Sequence, residues 1–87
     1  MTQLGANLEE MAALRAALVR QSQVIEQLTG QVRQQLATTT WHGPAADRLR
    51  STWDSDFEPT LRRLQAALQD AGAEVARRRD ALLQAGA

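Results

Sequence analysis

Cysteine, tyrosine and lysine are all missing from this chain of 87 residues. Without cysteine there is no disulfide framework, no thiolate zinc site and no cysteine nucleophile. Aromatic residues are scarce: Trp41, Trp53 and Phe57 are the full set. An excess of charge is lacking too, since ten arginines balance ten acidic residues, three against three before Pro44 and seven against seven after it. A protein that neutralises phosphates needs a basic surplus, so the composition argues against a nucleic-acid partner. No apolar run approaches the roughly 20 residues that cross a bilayer. The opening residues, Met1 to Glu10, show neither a charged leader nor an apolar core segment, and the expectation is that no secretory signal peptide is present. A chain of this length makes one small domain with a thin core, a size at which a partner is often required.

What is present is helical spacing. Leu4, Leu8, Met11, Leu14, Leu18, Ile25, Leu28, Val32 and Leu36 step by three or four, with one double step over Gln21 and Ser22. This pattern predicts one helix over about 4–37 with an apolar face, its other face carrying Glu9, Arg15, Arg20, Glu26 and Arg33. Some thirty helical residues extend about 50 Å, so the molecule is expected to be a rod.

The spacing stops at Thr38-Thr39-Thr40, a patch of low helix propensity and good capping ability. Trp41-His42-Gly43 follows at the midpoint of the chain. A Trp two residues before a Gly is a weak signal by itself, and its position between two helical stretches carries the weight. Gly43 tolerates the backbone angles of a tight connection, Pro44 suits the first helical position, and Asp47 complements the new helix dipole. The turn is therefore placed at about 38–43.

A second helix is predicted over about 44–83, with Ala46, Leu49, Trp53, Phe57, Leu61, Leu64, Leu68, Ala71, Val75 and Leu82 on one stripe. Pro59 removes a hydrogen bond and crowds the carbonyl of Ser55, predicting a kink near 54–59 rather than a break, because the stripe continues beyond it. Gly72 either permits close backbone approach or is merely tolerated. The stripe thins after Val75, so the hairpin is expected to fold without the residues beyond it.

The fold class expected is all-α: an antiparallel two-helix hairpin. Apolar residues flank a single seam at Leu14, Leu18-Val19, Val24-Ile25 and Leu82-Leu83, which calls for a second hairpin and a four-helix bundle. Leu18, Ile25, Leu28, Leu49, Trp53, Phe57, Leu61, Leu64 and Leu68 are the candidate core or dimer-interface residues.

Trp41-x-Gly43 at the centre, Ala45-Ala46 just after it, Leu49 and then Trp53 one turn on, in a chain of this length, resemble the WXG100 proteins of type VII secretion over essentially the whole sequence. The resemblance implies a substrate or co-secreted partner exported without a signal peptide. Such a protein is made in the cytoplasm, is dimerised with itself or a related hairpin, and engages a type VII transport ATPase. One feature departs from the family. Many of its dimers carry a tyrosine followed four residues later by an acid as an export signal, and here Val75 stands at the tyrosine position with Arg79 at the acid's. Either a partner chain supplies the signal or an apolar pattern is read, for which Val75, Leu82 and Leu83 are candidates.

Trp41 is either a contact point at the tip of the rod or a staple packing the turn. His42, a lone histidine, gives no metal site, and no cofactor is expected. Arg77-Arg78-Arg79 is offset by Asp70, Glu74 and Asp80 and reads as a solvated, dipole-complementing run. Ser22, Ser51 and Ser55 have only His42 as a possible base, and a two-helix rod offers grooves rather than the enclosed pocket catalysis needs. The chain is read as a binding protein rather than an enzyme. The competing reading is an intracellular dimeric helical adaptor or scaffold.

Overall fold

A computed structural model describes residues 3–86. α1 spans Gln3–Thr38, α2 Pro44–Thr52 and α3 Glu58–Gly86, with a π-helical turn at Trp53–Phe57 joining α2 to α3. α2, the π-turn and α3 make one continuous arm that runs back along α1, so the protein is an all-helical hairpin. It measures 64 × 19 × 13 Å. α3 continues to Gly86, past the Leu83 expected as its end.

α1 stops where its threonines turn back on their own helix. Thr38 Oγ1 donates to the Gln34 carbonyl at 2.9 Å and Thr39 Oγ1 to that of Gln35 at 2.5 Å. Gly43 has φ 117° and ψ 175°, and no other described residue has positive φ. That region of backbone space belongs essentially to glycine, which is the physical demand behind the glycine of the tripeptide. Pro44 opens α2, and the Asp47 amide closes its first turn on the Gly43 carbonyl at 3.0 Å.

The irregularity in the second arm is a π-turn. The Glu58 amide bonds to the Trp53 carbonyl, five residues back, and the helix then passes through Pro59 unbroken. Proline has no amide to offer the Ser55 carbonyl and would crowd it in a regular helix; a π-turn absorbs one extra residue at that point. The extra residue resets the register. Eight residues of regular helix rotate a side chain by about 80° from the starting direction, whereas seven rotate it by only about 20°. With one residue absorbed, Trp53 and Leu61 come onto the same side. Phe57, expected on the buried stripe, is turned outward and is 46% exposed, while Glu58 turns inward to pair with Arg33 of α1, Nη2 to Oε1 at 2.5 Å.

The seam between α1 and α3 is narrow and partly polar. Ser22 and Thr29, 1% and 3% exposed, lie buried in it. Each hydroxyl is satisfied on its own helix, Ser22 Oγ by the Val19 carbonyl and Thr29 Oγ1 by that of Ile25, both at 2.7 Å. The double step in the apolar spacing of α1 is therefore where small residues let the helices come together. Gly72 is buried opposite: a Cβ built on it meets Val19 Cγ2 at 3.5 Å and the Arg15 carbonyl oxygen at 3.8 Å. These are ordinary van der Waals distances, so of the two readings of Gly72 the tolerated glycine is the one they support. Leu18, Ile25, Leu61, Leu68 and Val75 are half-buried along this seam, and the buried apolar residues among those described are Ala46 and Trp53.

Candidate functional site

The hairpin tip is built by a residue from the second arm. Ala46, Arg50 and Trp53 share one face of the helix at a spacing of four and three, which aims the Arg50 side chain at the end of α1. Its guanidinium donates three bonds: Nε to the Leu36 carbonyl at 3.0 Å, Nη2 to that of Thr39 at 3.0 Å and Nη1 to that of Trp41 at 2.8 Å. The last carbonyls of a helix lack intrahelical partners and carry the negative end of its dipole. The planar fork of arginine reaches several of them at once. The Trp41 amide donates to the Thr39 carbonyl at 2.9 Å, so the loop before Gly43 is folded onto this cation. The Trp41 side chain is 43% exposed, neither sequestered as a staple nor fully free. Sequence reasoning missed Arg50; the signal was a charged residue in line with Ala46 and Trp53 on the buried stripe.

The two flanks of the rod differ chemically. On one flank Glu26, Thr29, Gly30 and Arg33 of α1 share a groove with Arg62 and Gln65 of α3. Farther along, Ala12 and Arg15 share another with Ala76, Arg79 and Asp80. Helical rotation of about 100° per residue puts Leu14 on the opposite side of Arg15 from Ala12, and Leu64 on the opposite side of Gln65 from Arg62. The second flank therefore collects Leu14 and Leu28, two heptads apart on α1, with Phe57 and Leu64, one heptad apart on the second arm. All four are exposed, Leu64 by 48% and Leu14 by 50%. Leu82 joins Leu14 and Met11 in a groove on this flank. Leu49 is also exposed. The nine interface candidates thus divide: Trp53 is buried at 7% exposure, Leu18, Ile25, Leu61 and Leu68 line the seam, and Leu28, Leu49, Phe57 and Leu64 face outward.

At the far end of the rod the arginine run is engaged rather than free. Glu74 receives Arg77 Nη2 at 2.6 Å and Arg78 Nε at 2.9 Å. These hydrogen bonds, from Arg77 first and Arg78 second, hold the Glu74 carboxyl below its ordinary pKa of 4.5. Arg79 crosses to α1, Nε to the Leu8 carbonyl at 3.0 Å, and Gly86 lies directly against Leu4. The residues beyond Val75, expected to be dispensable for the fold, are packed on the first turns of α1. Among the export candidates, Val75 is half-buried against α1, whereas Leu82 and Leu83 are exposed.

Comparison of the chain with models of known families, with curated proteins and with solved structures finds no match. Among the described residues no three metal-ligating side chains come together, and no helix is long and apolar enough to cross a membrane. What the arrangement offers chemically is surface: one open apolar flank, one charged flank and a clamped tip carrying an indole.

Proposed function

We propose that this chain is a binding module that associates through its apolar flank with a second hairpin, a copy of itself or a related chain, to form a four-helix bundle. It leaves the cell as that folded dimer by type VII secretion. The observation that carries the association is the exposure of Leu14, Leu28, Phe57 and Leu64 on one flank of a chain whose buried apolar residues, among those described, are two. A small domain with so little core gains stability by covering exposed apolar side chains, and the ion pairs of the charged flank keep the opposite side in water. The export part of the proposal rests on the resemblance of Trp41-x-Gly43, Ala45-Ala46, Leu49 and Trp53 to the WXG100 pattern. The tip geometry supports it to the extent that Trp41 is held in a defined place with nearly half its surface open. Leu82 and Leu83 are the export-signal candidates exposed in the folded hairpin, and Val75 is half-buried.

Two measurements test the parts separately. Sedimentation of the purified chain, alone and with a co-expressed hairpin, tests association: Leu64→Glu is expected to abolish the dimer while leaving the circular dichroism of the hairpin helical. A monomer of the unaltered chain at micromolar concentration in both preparations refutes the association. Release into the medium of the native bacterium, with and without the type VII ATPase and with a cytosolic enzyme as lysis control, tests export. Retention in both strains replaces export by the intracellular adaptor.

A further inference from the structure

We infer that Arg50 is the positioning residue of the hairpin tip: its guanidinium takes the place of the glycine cap that α1 lacks and fixes where Trp41 stands. Helices commonly close on a left-handed residue just past their end, whose amide turns back to the last carbonyls. α1 has no such residue. It ends at Thr38, and the positive-φ glycine of the loop, Gly43, comes five positions later and starts α2 instead. The helix end is closed from outside, by three donors of one side chain reaching the carbonyls of Leu36, Thr39 and Trp41. Those three oxygens span the end of α1 and the loop up to the indole-bearing residue, so a single planar group ties the loop's path to the second arm. The Thr39 carbonyl accepts both from Arg50 Nη2 and from the Trp41 amide, which couples the cation directly to the backbone of Trp41.

The role requires the fork, not only the charge. A lysine at position 50 keeps the charge and the aliphatic stem, but its compact ammonium does not reproduce three divergent planar contacts. Nearby side chains do not substitute for it: Arg33 is committed to Glu58. The inference bears on Trp41 as a contact residue and so rests on the proposed function for its biological meaning. The geometry itself is testable in the isolated chain, whatever becomes of export.

The experiment is amide hydrogen exchange and heteronuclear relaxation on the full chain, unaltered and as Arg50→Lys and Arg50→Ala, at one protomer concentration. In both variants the Trp41 amide is expected to exchange about tenfold faster or more, the size of effect that loss of charge-assisted hydrogen bonds produces. The backbone of 39–42 and the Trp41 indole are expected to become mobile, while the Ile25 amide in mid-helix keeps its protection. Arg50→Lys retains the stem that packs beside Trp53 and guards against a variant that merely unfolds. Unchanged exchange at Trp41 in Arg50→Lys, or loss of protection spread equally to Ile25, overturns the inference. Release into the medium is measured on the same variants: a loosened tip with undiminished ATPase-dependent release leaves the clamp in place and refutes Trp41 as the contact residue.

Discussion

Filling Gly72 with a methyl group should make this protein more stable, although the glycine is buried where the two arms meet. The built Cβ lies 3.5 Å from Val19 Cγ2, 3.8 Å from Leu18 Cβ and 3.8 Å from the Arg15 carbonyl oxygen. Each is an ordinary van der Waals distance, so alanine enters without displacing a neighbour. Replacing an interior helical glycine by alanine recovers about 1 kcal/mol of helix propensity, and burying the methyl adds roughly 0.8 kcal/mol. Gly30 is the internal control, being helical with nothing within 4 Å of its built Cβ. There the propensity gain of about 1 kcal/mol should stand almost alone. For a domain of this size 1 kcal/mol moves the melting temperature by about 4–8 °C. Urea unfolding followed by far-UV circular dichroism, at one fixed protomer concentration because association shifts apparent stability, should rank Gly72→Ala above Gly30→Ala and both above the unaltered chain. A leucine at 72, too large for the gap, should cost about 1–3 kcal/mol. A destabilised Gly72→Ala with a stabilised Gly30→Ala would show that the arms meet more closely than described and refute the reasoning. Equal gains would show that the methyl finds no contact.

Gly43→Ala should behave oppositely, losing about 1–3 kcal/mol because φ 117°, ψ 175° is a conformation only glycine adopts without strain; the same unfolding experiment reads it. The carboxyl of Glu74 has a folded pKa below 4.5 owing to Arg77 and Arg78, so its contribution to holding the last turns of α3 is fully present above the ordinary carboxylate range. That contribution is lost as pH falls through the depressed value. The protection factors of the amides near 74–79, taken against the intrinsic exchange rate at each pH, should fall on acidification through that window and on adding salt, and Glu74→Gln should remove this part of the pH dependence while leaving the rest of the profile. Cutting the chain after Val75 removes the Arg79–Leu8 bond and the Gly86–Leu4 contact. Proteolysis should then reach the first turns of α1 while the tip and its Arg50 contacts stay protected; unchanged protection at Leu8 would refute the packing role of that segment.

Local chemistry made most of the architecture legible before any coordinates. Apolar residues recurring every three or four positions require helices, three threonines followed by Trp41-His42-Gly43-Pro44 require a turn, and a proline inside a continuing stripe requires an irregular but unbroken helix. These follow from propensity, capping and backbone sterics, which depend on a residue and its near neighbours along the chain. The glycine of the turn belongs here too, because its need is written in φ and ψ. What only the tertiary structure decided is which side of each helix faces the other. The π-turn inserts one residue of phase, so Phe57 swings out and Glu58 swings in, an outcome a fixed helical period does not contain. Ser22 and Thr29 become the buried centre of the seam because small side chains that satisfy their own hydroxyls fit between the arms, although Ser22 falls in the gap of the apolar spacing and Thr29 is no part of that spacing. Arg50, an ordinary surface charge in sequence, becomes the lock of the tip because folding brings the carbonyl end of α1 within reach of its fork. These three are decided by distances between residues remote in the chain, which periodicity along one helix does not encode.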